Sequence, residues 1–473
     1  MFTKVKISSL NHRERIKIAR LLLVCYFFKR LEGGYMKRLF NLQPWLAGLQ
    51  WLFFLFTNTV VIPITIGAAF QLPQEKIITL LQFSFLFTGL ASMLQAVTGH
   101  NRSVMEGQSG LWWGVILSLC YAAPSQGMSL ASLGGSLAVG VILSGILTIL
   151  IGLCGLASYF SKLFNSGVMA VFMFLLGCRL NTIFLQGMLG IPFGGQEETG
   201  EIDLPVFLLS CSIAGIVMII SLKATPIIRK YSLLTGIIVG WVLFELLLNR
   251  EGIDLTGKLD IELFPLGTPA IDLGIIFTVI VTGFLNTSNT FGALKGTDTI
   301  YQSHTTTNEY RRSFTISGMF TIIAGIFGLV PFAPYVSSIG LLRQTKIIER
   351  LPFILGSAMF MAMGIIPQVS QFMAKLPLSV GSAVLFVAYL RFLQSSLQYF
   401  TQITLTTGNL YRLGIPLFTG VIFMTFPLSY FQSIPSFIRP LMSNGLLIGI
   451  LLSILLENIK FKQYRKKKRL FSS

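Results

Sequence analysis

The chain has 473 residues, of which 53% are hydrophobic and 11% charged, and its mean hydropathy is +0.74. Globular domains carry about 25% charged residues, so too little polar surface remains to cover a water-soluble particle of this size. A formal charge of +18 would suggest nucleic acid for a soluble protein. Here the charges sort by membrane side instead, so the expected partner is a lipid bilayer and not nucleic acid.

The apolar residues form blocks long enough to cross a bilayer, which takes ~20 helical residues. Examples are Phe207–Leu222, Leu233–Leu248, Ser313–Val330 and Asn444–Leu456 with its flanks. The blocks are continuous and not alternating, which excludes a β-barrel. Cys25, Cys120, Cys154, Cys178 and Cys211 lack paired spacing, and His12, His100 and His304 have no metal-binding neighbours. No disulfide framework, metal site or cofactor is expected.

In chain order, residues 1–49 form a basic N-terminal region. Within it, Leu21–Phe28 is too short to span a membrane. The run Glu32-Gly33-Gly34 just before Met36 fits codons of a ribosome-binding site, so Met36 is the expected start and residues 1–35 an untranslated leader. The plainer reading is a basic tail. Fourteen membrane segments follow, beginning near Trp51, Lys76, Met105, Leu130, Phe164, Leu204, Pro226, Asp272, Arg312, Tyr335, Leu351, Leu376, Leu413 and Phe437. With the N-terminus inside, 29 of the 36 Lys and Arg residues fall on inner segments, while Arg179 counts among the outer ones. That bias places both termini in the cytoplasm. Residues 461–473 form a basic cytoplasmic tail.

Residues 50–250 and 270–460 each hold seven segments. An odd number inverts the second half relative to the first. In both halves the third segment is interrupted by small and polar residues. The first reads Met105-Glu106-Gly107-Gln108-Ser109-Gly110, and the second runs from Pro331 through Tyr335, Val336, Ser337, Ser338 and Ile339 to Gly340. Weak segments at matching positions of inverted repeats are the best sequence pointer to a transporter's binding site. Irregular backbone at membrane depth survives only where protein or a cavity covers it. Each stretch taken alone also reads as an ordinary loop.

These residues resemble the nucleobase–cation symporter-2 family, also called nucleobase–ascorbate transporters, from Gln50 onward. Gln50-Trp51-Leu52-Phe53 is similar to the family's opening helix, with Trp51 where many members have histidine. Gly107-Gln108-Ser109 matches its substrate-facing strand. Asn286-Thr287-Ser288-Asn289-Thr290-Phe291-Gly292 looks like the eighth-segment motif of the adenine/guanine branch. In the tenth segment Gly340, Thr345 and Lys346 agree with the family pattern, while Ser337 and Ser338 depart from it.

The resemblance implies an all-α polytopic fold of two inverted seven-segment repeats, with short antiparallel strands in segments three and ten. It also implies a core of segments 1–4 (residues 50–160) and 8–11 (270–375). The gate would be segments 5–7 (161–250) and 12–14 (376–460). The implied function is a purine permease of the cell membrane, not an enzyme, with a nucleobase as substrate, a proton as coupling ion and a homodimer as the assembly. The substrate-binding residues would be Gly107, Gln108, Ser109, Asn286, Thr290, Ser337 and Ser338, although the two serines also read as small residues for close helix packing. By their chemistry Phe284 or Tyr335 would stack on the base, with Trp112, Trp113 and Phe332 as further aromatics, in a chain where most aromatics must face lipid or core. Rival readings are a uracil permease, or an anion transporter of the sulfate/bicarbonate type on the same fold.

Family members place carboxylates where this chain has Asn286 and Ser337. Glu106 is the replacement candidate for proton coupling, because a carboxylate at membrane depth is expensive and marks function by default. Its plainer reading is a surface residue paired with His100 and Arg102. Asn286 offers both donor and acceptor to a purine edge, or glues helices together.

Overall fold

A computed structural model gives the fold of residues 42–191, 201–229, 231–248 and 261–470. The proposed leader, Arg250 and most of the acidic outer loops lie outside the described residues. In chain order the elements begin with α1 (Leu42–Thr59), α2 (Val61–Ala69), α3 (Gln74–Val97), β1 (Glu106–Gln108), α4 (Gly110–Ala122), α5 (Leu130–Leu153) and α6 (Ser166–Met188). Next come α7 (Leu204–Lys223), α8 (Ser232–Leu248), α9 (Leu273–Tyr301), α10 (Thr307–Phe327), β2 (Phe332–Pro334) and α11 (Ser338–Thr345). The chain closes with α12 (Arg350–Ile365), α13 (Pro367–Ala374), α14 (Leu378–Tyr389), α15 (Arg391–Phe400), α16 (Thr407–Thr425) and α17 (Gly445–Leu470). Single-turn helices fill some of the connections.

Seven helical stretches are long and apolar enough to cross a membrane, among the described residues, and an eighth is counted if α12 and α13, bent by 85°, form one broken span. The protein is therefore a multi-pass membrane protein. Three shorter apolar helices, α4, α8 and the first half of α17, accompany them. The first helix starts nine residues ahead of the expected Trp51, at Leu42, because Leu42, Trp45 and Leu46 extend the same apolar pattern.

Helices α5 and α10 make the most extensive packing, and α5 also packs on α9. Helix α12 packs on α1 and α3. A second group joins α6 to α14, α15 and α17, α16 to α17, and α7 to α8 and α14. The α5–α10 crossing depends on absent side chains: a methyl added at Gly145 would stand 2.8 Å from the Gly318 carbonyl oxygen, and one added at Gly318 would stand 2.7 Å from the Gly145 oxygen. Helices associate in lipid through such small residues, because the surrounding tails are as apolar as leucine.

The expected strands form. β1 and β2 pair antiparallel, with Glu106 opposite Pro334, Gly107 opposite Ala333 and Gln108 opposite Phe332. All six residues are buried. The ladder continues at both ends, where Ser109 N donates to Pro331 O at 2.9 Å and Tyr335 N to Met105 O at 2.8 Å. Pairing of two interrupted segments satisfies backbone that no water could reach.

Arg179, expected in an outer segment, lies inside α6, where its aliphatic stem packs against Gly114 of α4. Asp272, the expected start of the eighth segment, caps α9 by accepting from Ile275 N at 2.9 Å. Glu245 accepts from Trp241 Nε1 at 3.3 Å. Arg391 is exposed at the start of α15.

Candidate functional site

The centre of the site is a three-residue amide and hydroxyl cluster where α9 meets the two strands. Ser109 is the N-cap position of α4, yet its hydroxyl caps nothing. It donates instead to Asn286 Oδ1 at 2.6 Å. Asn289 Nδ2 donates to Asn286 Oδ1 at 2.9 Å and to Ser109 Oγ at 3.2 Å. Asn286 Nδ2 donates to the Phe332 carbonyl of β2 at 3.1 Å. One asparagine thereby ties α9 to both strands, and the first turn of α4 keeps its N–H groups free of a side-chain cap. Uncapped helix N-terminal amides are ready hydrogen-bond donors for a polar ligand.

Tyr335 closes the other side. Its hydroxyl donates to the Gln108 carbonyl and, at 3.3 Å, to the Asn58 carbonyl of α1. Its ring covers Gly107, where a methyl would come within 3.2 Å of the ring. Thr290, one turn on from Asn286, is buried beside it and lines the same small cavity. Thus Ser109, Asn286 and Asn289 form one cluster, Gly107 and Tyr335 touch each other on the strand side, and Thr290 shares a small cavity with Asn286.

Of the other expected residues, Trp112 and Phe332 line that cavity as well, and the rest stand apart. Gln108 turns its side chain away, donating from Nε2 to Ser84 Oγ of α3 at 2.9 Å; only its carbonyl serves the site. Phe284 lies on another face of α9 from Asn286 and packs edge-on against Phe160 at 5.1 Å, since two residues along a helix turn the side chain by about 200°. Trp112 and Trp113 are fully buried; Trp113 donates to Thr65 Oγ1 at 2.8 Å and packs on Phe184. Phe332 is packed against Phe320. Ser338 is buried and accepts from Met105 N at 3.1 Å, a bond that fixes the strand ends. Ser337 is exposed at the N-cap of α11 and makes no side-chain cap bond. Gly340 has open space around its α-carbon, Thr345 donates to the Leu341 carbonyl at 2.9 Å, and Lys346 ends α11 in the left-handed region at φ 57°. These three motif residues therefore shape the end of α11 and not the cluster.

The pairing of Glu106 with His100 and Arg102 is corrected. Arg102 Nη1 meets Asp298 Oδ1 at 2.7 Å and donates to Thr297 Oγ1 at 2.8 Å and the Leu294 carbonyl at 2.7 Å, all at the far end of α9. His100 Nδ1 accepts from the Arg102 amide. Glu106 is fully buried and meets only neutral groups: Ser317 Oγ donates to Oε1 at 2.6 Å and Gln95 Nε2 to Oε2 at 3.1 Å. Ser92 Oγ holds its backbone from both sides, at 3.1 Å each way. Among the described residues no group of His, Cys, Asp and Glu side chains could hold a metal ion.

Sequence reasoning missed Tyr389 and Ser317. Tyr389 of α14 is buried and stands 3.9 Å from where a methyl on Gly110 would be, beside the first turn of α4. In a chain with 12% aromatic residues nothing in the sequence marks it. Ser317 is one of many serines in apolar helices and carries no local signal.

The sequence profile of the Permease family, the nucleobase–ascorbate transporter group, matches residues 42–429. The chain belongs to this family. It is a transporter and not an enzyme. Bacillus subtilis YwdJ, provisionally named a purine permease, is 28% identical over 442 residues, covering 90% of this chain and 98% of that protein. The xanthine permease of Bacillus subtilis is 21% identical, covering 89% and 94%. The uric acid transporter UacT of Escherichia coli is 24% identical, covering 89% and 86%. Among solved structures, the transmembrane domain of a cyanobacterial bicarbonate transporter, BicA, matches with a TM-score of 0.55 at 16% identity, over 88% of this chain and 97% of that one. The murine anion transporter Slc26a9 in its inward-facing state matches with a TM-score of 0.60 at 13% identity, over 97% and 74%. These likenesses show a shared fold.

Proposed function

We propose that this permease takes up purine nucleobases, of the class of xanthine, guanine, hypoxanthine or urate, across the cell membrane. The observation that carries the reading is the Ser109–Asn286–Asn289 cluster beside the uncapped first turn of α4. It offers donors and acceptors with no fixed charge, as a neutral, planar, hydrogen-bonding edge requires. The names of the relatives point the same way. Fourteen segments in two inverted repeats would span the membrane with both termini in the cytoplasm. Segments one to four and eight to eleven would form the core, the remaining six the gate, and two copies would pair as a homodimer. Transport would proceed by alternating access, the gate rocking against the site.

Glu106 is the proposed coupling group, taking and releasing one proton per cycle. It is buried among neutral partners, and it stands on the strand next to the site. An anion carrier on the same fold is the second reading, favoured by the solved structures that share the architecture. Against it, among the described residues no cation is hydrogen-bonded to the cluster.

The test is uptake of labelled purines and uracil in cells lacking their own nucleobase carriers, with and without a protonophore. Saturable purine uptake, lost in Asn286→Ala and sensitive to the protonophore, is expected. Uptake of bicarbonate or sulfate with no uptake of any base would overturn the reading.

A further inference from the structure

Behind Asn286 lies a small cavity between α4, α5, α9 and α10, with about 10 Å³ of space for a water molecule's centre. That is room for one water. Asn286, Thr290, Trp112 and Ser317 all line it. The Trp112 indole N–H is buried and has no hydrogen-bond partner among the described residues. A buried, unpartnered donor on a residue that lines a polar space of this size fits a bound water, since a donor left unmet is costly.

Ser317 joins this cavity to Glu106. Its hydroxyl has one proton and two lone pairs. The proton goes to Glu106 Oε1 at 2.6 Å, while Gln95 Nε2 shares its two hydrogens among Glu106 Oε2, the Ser313 carbonyl oxygen and Ser317 Oγ. At least one Ser317 lone pair is left for a donor in the cavity. The groups that meet Glu106 are Ser92 and Gln95 of α3, Ser317 of α10 and Pro334 of β2. None of these is charged. The nearest titratable groups in sequence, His100 and Arg102, are engaged with each other and with Asp298. Ser317 is thus the hydrogen-bonding side chain that touches both the carboxyl group and the cavity.

We propose that Ser317 is a proton-relay residue, passing protons between Glu106 and the nucleobase site through one water held by Trp112 in this cavity. The proposal rests on Glu106 being the coupling group. In the loading step the Ser317 O–H bond breaks toward Glu106 Oε1 as an O–H bond forms from the water to Ser317 Oγ. The water recovers its proton from solvent or from a base N–H at the Asn286 side. The reverse sequence returns the proton on the opposite side of the membrane. The net transfer is one proton: each O–H or N–H bond that breaks along the relay is matched by one that forms.

The experiment compares two assays in proteoliposomes: accumulation driven by an imposed pH gradient, and counterflow exchange, which needs no net proton movement. Ser317→Ala is expected to lower gradient-driven accumulation at least tenfold while exchange stays within twofold, and Ser317→Thr, which keeps the hydroxyl, to restore accumulation. Should Ser317→Ala lose exchange as well, Ser317→Cys, closer in volume and a far weaker acceptor, replaces it with the same expectation. If Ser317→Ala (or Ser317→Cys in its place) keeps full gradient drive while Glu106→Gln loses it, the relay is wrong and the coupling role of Glu106 stands. If Glu106→Gln itself keeps gradient drive, the coupling reading fails and the relay with it.

Discussion

The Ser109 hydroxyl and the Asn286 carboxamide meet at 2.6 Å across 177 positions of sequence. That one bond joins the interrupted third segment to the eighth. It also explains why Ser109, at a capping position, leaves the α4 amides free. The site is therefore assembled by side chains of two distant segments and not by either motif alone.

Breaking this bond should weaken substrate binding in a graded way. Ser109→Ala removes two hydrogen bonds, to Asn286 and from Asn289, each worth about 1 kcal/mol, and should raise KM roughly five- to thirtyfold, with Vmax little changed. Asn286→Ala removes three bonds and should abolish saturable uptake. A double-mutant cycle of Ser109→Ala with Asn286→Asp, read from KM values, should show coupling between the two positions. Additive effects would show that the bond does not hold the site.

The α5–α10 crossing should not tolerate side chains. Gly145→Val or Gly318→Leu would force the two backbones apart. Overpacking of a close contact costs about 1–3 kcal/mol. A drop in the melting temperature of detergent-purified protein is expected, with the amount reaching the membrane reduced. Gly408, which has nothing within 4 Å of an added methyl, serves as the control and should accept alanine without effect.

Arg102 and Asp298 should behave as a unit. The guanidinium side chain is 3% exposed and the carboxylate 19%. Removing one partner strands a buried charge, at a cost of about 3 kcal/mol. Arg102→Gln should therefore cut membrane abundance sharply. Arg102→Met combined with Asp298→Leu should recover much of it, measured as folded protein by fluorescence-detected size exclusion. Equal loss in the single and double variants would contradict the pairing.

Tyr335→Phe should leave the fold intact but loosen β1 against α1, because it removes both hydroxyl bonds, to the Gln108 and Asn58 carbonyls. Uptake with a several-fold higher KM and unchanged protein abundance is the expected outcome. An unchanged KM would confine Tyr335 to packing.

The sequence by itself determined the class of the protein. Continuous apolar blocks dictate spanning helices because lipid offers no partner for an open backbone. The two interrupted segments were legible because Gly107 and Ser109, or Pro331 and Pro334, cluster where the apolar pattern fails, and irregular backbone at that depth must be covered by protein. Only the tertiary structure decided which side chains face the site. Three-residue strands carry too little periodicity to say that Gln108 turns to Ser84 while Ser109 turns to Asn286. The partner of Glu106 was equally hidden. Its neighbours in sequence, His100 and Arg102, were the natural choice, yet Asp298 claims Arg102 and Ser317, 211 positions away, claims Glu106. Buried polar groups take whichever partner packing brings within about 3 Å, and packing of distant helices is not written in any local pattern.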